Sequence, residues 1–207
     1  MKAIALAVAV VILTVWVYHV YRKNVARDAT VASVRDAAER LRRSLAPEPR
    51  ATADAQRDAD IADAQVKALR ARDMSAIRPL GDAADDYLLT AREILRREAA
   101  LRGAGERFKL NLDALTDHVQ ADRGGADWTH TAVRLRAEVD REAREIRIAT
   151  ESYASLLDSL AASQAKIAPY VDASRLVDAP AIKAARQRAL DGLARTEENV
   201  RRVTKLR

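Results

Sequence analysis

Cysteine is absent from this chain, which removes a lipoprotein-type anchor, a disulfide framework and any thiolate metal site. Phenylalanine occurs once, and the 207 residues hold only six glycines and five prolines. Such a sequence has few places to turn and few aromatics for cross-strand pairing, and β-branched residues are sparse after the first twenty-odd positions. Alanine, leucine and arginine dominate instead, all strong helix formers. This composition predicts an all-α fold. Markers of chemistry are equally scarce. No Glu-x-x-His or His-Glu-x-x-His spacing marks a metal site, and Gly103-Ala104-Gly105 lacks both the phosphate-loop pattern and a preceding strand. Nothing marks a nucleophile. We therefore expect no enzyme, no catalytic residue, no cofactor, no bound metal and no small-molecule substrate.

What is present begins at the N-terminus. Residues Ala3 to Tyr21 run for nineteen positions without Asp, Glu, Lys or Arg, and Arg22 and Lys23 follow at once. As a helix, this run spans about 28 Å, close to the ~30 Å hydrocarbon thickness of a bilayer. It exceeds the 7–15 residues of a signal-peptide core, and no small-x-small cleavage site follows it. Trp16, Tyr18 and Tyr21 gather at its end, where amphipathic rings suit a headgroup interface. The run is expected to be an uncleaved, single-pass anchor in a cell inner membrane. Arg22, Lys23, Arg27, Arg35, Arg40 and Arg42 outnumber the Lys2 side, so the positive-inside rule favours a cytoplasmic domain over a periplasmic one.

Periodicity orders the rest. Val31, Val34, Ala38, Leu41 and Leu45 predict a helix continuing from the anchor and stopping before Pro47 and Pro49. Thr52 is placed to cap a second helix. Pro79 and Gly81 are expected to break the chain again, with Asp82 capping a third helix that runs towards Gly103 and Gly105. A short helix carrying Phe108, Leu112, Leu115 and Val119 would then end near Gly124-Gly125. Next, Val139, Ile146, Tyr153, Leu160 and Ile167 recur every seven residues, with Ala143, Thr150, Leu157 and Gln164 between them. This heptad seam predicts one long helix over 127–168, closed by Pro169. Asp178 before Pro180 opens a last helix. The expected architecture is a transmembrane anchor over 1–23, a juxtamembrane helix and Pro-containing linker over 24–50, and an elongated antiparallel bundle with coiled-coil-like packing over 51–207.

Charge is uneven. Residues 22–50 carry eight basic and four acidic groups, 169–207 carry nine and five, and 51–168 carry eighteen and twenty-one. An even number of traversals would bring Arg201 and Arg202, with Lys205 and Arg207, back beside Arg22 and Lys23. Each basic group near an anionic leaflet contributes ~1 kcal/mol. Acidic and basic residues alternate along most helices, as in Arg141-Glu142 and Arg144-Glu145, so nucleic acid is not an expected partner. His118 and His130 flank the Gly124-Gly125 turn with Asp117 and Asp122 nearby, a pattern better suited to surface residues than to metal ligation.

The function expected from these features is a membrane-anchored, non-catalytic helical scaffold for protein–protein interaction at a bacterial-type membrane. The membrane-interface residues are Trp16, Tyr18, Tyr21, Arg22, Lys23, Arg201 and Arg202. The seam for helix packing or association, with a protein partner or a second copy, is Val139, Ile146, Tyr153, Leu157 and Leu160. The alternative is an exported envelope module: a spacer, a ligand-binding ectodomain or a membrane-disruption factor. An anchor followed by a long helical ectodomain resembles phage inner-membrane spanins and helical receptor ectodomains, in architecture rather than in motif.

Overall fold

A computed structural model describes residues 2–121 and 124–205, with side chains over 11–121 and 124–203. Five helices follow one another: α1 Lys2–Leu45, α2 Thr52–Arg70, α3 Arg78–Gln120, α4 Ala126–Ile167 and α5 Ala179–Lys205. Short 3₁₀ turns at Ser75–Ile77 and Ala173–Arg175 precede α3 and α5. There is no strand among the described residues. Each long helix reverses on its predecessor, and the result is an elongated up-and-down bundle.

The rod has two halves. Below, α1, α2, the first part of α3 and the second part of α4 enclose Val34, Leu41, Leu69, Leu88, Leu95, Leu157 and Leu160, joined by the start of α5 through Ile182 and Ala185. Alanine at 37, 38, 59, 62, 84 and 91 sits in this core and lets the backbones approach closely. Above, the rest of α3, the first part of α4 and the second part of α5 enclose a smaller cluster of Phe108, Leu115, Leu135, Val139 and Ile146. Residues 24–45, expected as a juxtamembrane segment, are not separate from the bundle. Thr30, Val34, Ala37, Ala38, Leu41 and Leu45 recur at three and four, and all are buried.

Four expectations about the middle of the chain need correction. Thr52 is the first helical residue of α2, and Ala51 holds the cap position with no side-chain capping bond. Pro79 does not interrupt a helix but lies in the first turn of α3, where a missing N–H breaks no bond. Asp82 is an exposed residue within that helix, not its cap. Most importantly, α3 runs unbroken through Gly103 and Gly105 for 43 residues. Each glycine costs about 1 kcal/mol against alanine in a helix. The continuous apolar face of Leu95, Ala99, Ala104, Phe108 and Leu115 outweighs this by packing against α4. The true turn is at Gly124 and Gly125, whose φ angles of 56° and 104° favour a residue without Cβ. Beside it, the His118 and Trp128 rings stack with centroids 5.1 Å apart. Trp128 Nε1 donates to the His118 carbonyl at 3.1 Å, and His118 Nε2 lies 2.9 Å from the Trp128 carbonyl. This clasp fixes the α3–α4 hairpin.

Among the described residues no helix is long and apolar enough to cross a membrane. The side chains of residues 3–10, the first part of the expected anchor, lie outside those described.

Candidate functional site

The base of the rod is built on α1. Among the residues of this helix whose side chains are described, Thr30 is the first that is fully covered. Over 11–21, α1 projects beyond the bundle, and Val11, Ile12, Leu13, Val15, Trp16, Val17, Tyr18 and Tyr21 are all more than half exposed. At ~100° per residue these positions point in every direction, so no single strip of the helix is reserved for the bundle. Arg22 closes this stretch, its guanidinium carbon 5.9 Å from the Tyr18 ring centroid. The α2–α3 connection packs beside it, with Arg22 reaching Asp73 at 3.7 Å. Asp73 also accepts a hydrogen bond from the Ser75 amide at 3.1 Å. Ser75, and secondarily Arg22, hold the Asp73 carboxyl below the usual carboxylate range.

Of the expected interface residues, Trp16, Tyr18, Tyr21, Arg22 and Lys23 share this end. Arg201 and Arg202 do not. The chain makes five traversals rather than an even number, so α5 ends at the far tip. There, Val200 and Val203 pack with the upper cluster, and Glu197 pairs with Arg147 at 2.9 Å and with Arg201 at 3.9 Å. By helix rise along α1 and α5, roughly 50 Å separate Arg201 from Arg22. Arg207 and the Lys205 side chain lie outside the described residues.

The seam of α4 is interior. Val139 and Ile146 belong to the upper cluster, and Tyr153, Leu157 and Leu160 to the lower one. All five are buried by the chain's own helices, and of them Ile146 and Tyr153 also border a cleft between the helices. Burial pushes the Tyr153 phenol above its ordinary range, with Glu98 adding to the effect. Gln164 donates to the Val177 carbonyl at 3.0 Å and pins the α4–α5 connection. Thr150 is buried at the junction of the two halves.

That junction holds the most organised polar cluster, which the sequence reading missed. Asp58 and Glu98 are nearly inaccessible carboxylates. Arg40 donates to Asp58 at 3.0 Å, and Arg50 reaches Asp58 at 2.5 Å and Glu98 at 3.4 Å. Arg102 pairs with Glu98 at 2.8 Å and donates to the Arg50 carbonyl at 3.1 Å. Ser44 donates to Glu98 at 2.5 Å. Both carboxylates are thus saturated, as burial of charge requires. A signal was present: Asp58 stands in the stripe of Ala55, Ala59 and Ala62, and Glu98 in that of Ala91, Leu95 and Ala99. A charge on an otherwise apolar stripe needs a buried partner.

Beside this cluster opens a cleft of about 430 Å³ between the α1–α2 connection, α3, α4 and α5. Leu101, Ile146 and Leu193 supply apolar walls, Arg102 and Arg188 supply cations, and Gly105 and Gly192 face it from two helices. Arg188 donates to the Leu45 carbonyl, which ties α5 to the end of α1. Nothing lies within 4 Å of where a Cβ would stand on either glycine.

Chemistry elsewhere is sparse. Among the described residues no group of three His, Asp or Glu side chains is placed to hold a metal ion. His118 is taken up by the Trp128 clasp, and Asp122 lies outside the described residues. Comparison of the chain with protein-family models, with curated proteins and with solved structures finds no match to any of them.

Proposed function

We propose that this protein is a membrane-anchored, non-catalytic helical scaffold. In this reading Ala3–Tyr21 crosses the bilayer, and the rod-shaped bundle mediates protein–protein interaction on the side of its basic flank, the cytoplasmic one by the positive-inside rule. One observation carries the reading. Apolar and aromatic residues from Val11 to Tyr18, with Tyr21, project uncovered on every side of α1, whereas the same helix is buried periodically from Thr30 onward. A solvated helix does not expose a full apolar circumference, since soluble proteins rarely expose contiguous apolar patches beyond a few hundred Å². The collar of Arg22 and Lys23 then sits where the chain leaves the hydrocarbon.

The rod length supports the scaffold part. At ~1.5 Å per residue, α3 alone is about 64 Å long, so the α3–α4 tip stands well away from the base. The junction cleft offers a partner a concave surface, and its two helical glycines leave room for close backbone approach. Self-association through the α4 seam is not part of the proposal, because that surface is occupied.

The test uses the chain's two tryptophans, one at each end. In vesicles containing brominated acyl chains, Trp16 emission (in a Trp128→Phe variant) should be strongly quenched. Trp128 emission (in a Trp16→Phe variant) should be unaffected. A Trp16 that stays water-exposed in the presence of vesicles sinks the anchoring reading. Compartment-specific reporters fused after Arg207 then decide the side.

A further inference from the structure

The base of the bundle holds a groove of about 450 Å³ between α1 and the α2–α3 connection, lined by His19, Tyr21, Arg22, Lys23, Arg72 and Ser75 among others. Three cations face one carboxylate, Asp73. That carboxylate pairs with Arg22 and accepts from the Ser75 amide, so it offsets one of the three cations and leaves the groove with an excess of positive charge from Lys23 and Arg72. Among the described residues no carboxylate lies in ion-pair range of Lys23 or Arg72, whereas Arg22 has Asp73. Arg72 Nη1 is enclosed by protein yet makes no hydrogen bond among the described residues, although the Arg72 amide donates to the Leu69 carbonyl at 3.0 Å. A guanidinium N–H shielded from water without an acceptor is costly, and the charge of Arg72, which lines the groove, favours an anion seated there.

The position of the groove selects the anion. The headgroup layer adds roughly 5–8 Å beyond the hydrocarbon, the height of about four or five helical residues. Counted from Tyr21, that layer covers Arg22 to Val25 or Ala26, the α1 wall of the groove. Val25 and Ala26 line this wall at headgroup height, and Ala29 continues it just beyond. We propose that this groove binds the phosphate of one anionic phospholipid headgroup, between Arg22, Lys23 and Arg72. The inference rests on the anchoring reading above. It gives the bundle a fixed orientation, because the second wall of the site belongs to the α2–α3 connection and not to the anchor helix alone.

The test places the full chain in nanodiscs of phosphatidylcholine, with and without one-fifth phosphatidylglycerol. After extraction, native mass spectrometry reads the lipid retained. The expected result is retention of phosphatidylglycerol above its share of the disc. Arg72→Gln and Lys23→Ala should each lower that enrichment roughly five-fold. An Arg201→Ala/Arg202→Ala double variant, which alters charge at the far tip, should leave it unchanged. Lys23 is exposed, so its variant keeps the test sound even if Arg72→Gln perturbs folding. No enrichment, or an equal loss in the distal variant, overturns the site. Full displacement of the lipid by about 20 mM inorganic phosphate overturns the lipid assignment in favour of a free anion. Incorporation into pure phosphatidylcholine discs reports anchoring separately: its failure sinks both readings, whereas incorporation without enrichment sinks only the groove.

Discussion

The lower and upper halves of the rod use the same two long helices to different ends. Below, α3 and α4 are joined by α1 and α2, and the largest fully buried side chains are concentrated there: Tyr87, Leu41, Leu69, Leu88, Ile94, Leu95, Leu157, Leu160 and Ile167. Above, only α5 joins them, and Val139 alone of that cluster ranks with those residues. Three helices around a narrow core leave more of each face wet, so less apolar area is removed from water. The upper half should therefore open first, and the lower half should set the global stability. The polar network at the junction lies where the two packing arrangements meet, and it ties α1, α2 and α3 together.

That comparison can be broken from several directions. Leu160→Asp should have the largest effect, because it places an unpaired carboxylate in the fully enclosed lower core at a cost of about 4 kcal/mol or more. Ile146→Asp should cost visibly less, since Ile146 borders the open cleft and its carboxylate could reach water. Chemical denaturation followed by circular dichroism ranks the two; equal losses would mean that the cleft is closed in solution.

Glu98→Ala comes next. It strips partners from Arg50, Arg102 and Ser44 at once, and truncating one member of a buried ion network costs about 3–5 kcal/mol. A loss below about 1 kcal/mol would show that the junction is solvated.

Leu115→Ala in the upper core should cost about 2–3 kcal/mol locally. Hydrogen exchange should show faster opening of 105–140 and 190–203, while 80–95 keeps its protection. Uniform loss along α3 would show that the rod unfolds as one unit.

A small gain is expected from Gly105→Ala. Its Cβ would meet nothing within 4 Å, and helix propensity favours alanine by about 1 kcal/mol. A rise in thermal midpoint confirms this, whereas a fall shows a need for glycine beyond the isolated chain's own packing.

The smallest effect concerns pH. The Asp73 carboxyl is depressed by Ser75 and Arg22, so its support for the α2–α3 connection is complete above the ordinary carboxylate value near ~3.9 and fades as pH falls through the lower folded one. Nuclear magnetic resonance of Ser75 should report loosening only in that acidic range.

How much was legible depended on how local the signal was. The stop of α1 before Pro47, the span of α4 and the start of α5 near Pro180 all rest on features within a turn or two, and the structure agrees within a residue or two. The Gly103–Gly105 pair misled because its propensity cost was weighed without the packing of the faces on either side. Asp58 and Glu98 are hard to read from sequence because most of their partners come from elsewhere in the chain, Arg40 and Ser44 from α1 and Arg50 from the α1–α2 connection. Arg201 and Arg202 were placed at the wrong end for a topological reason: one merged helix changes the number of traversals from even to odd.

By itself, then, the sequence determined the all-helical class, the uncharged run with its basic collar, the heptad face of α4 and most helix ends. Each follows from backbone sterics or from apolar spacing along a single helix, which act over a few residues. Only the tertiary structure decided that α3 is continuous, that the seam faces inward, that Arg201 and Arg202 stand at the tip, and that Arg72 joins Arg22 and Lys23 at the base. These outcomes depend on which faces bury one another across the chain. A packed face with several apolar residues outweighs the roughly 1 kcal/mol of a single glycine, and no window of neighbouring residues contains that information.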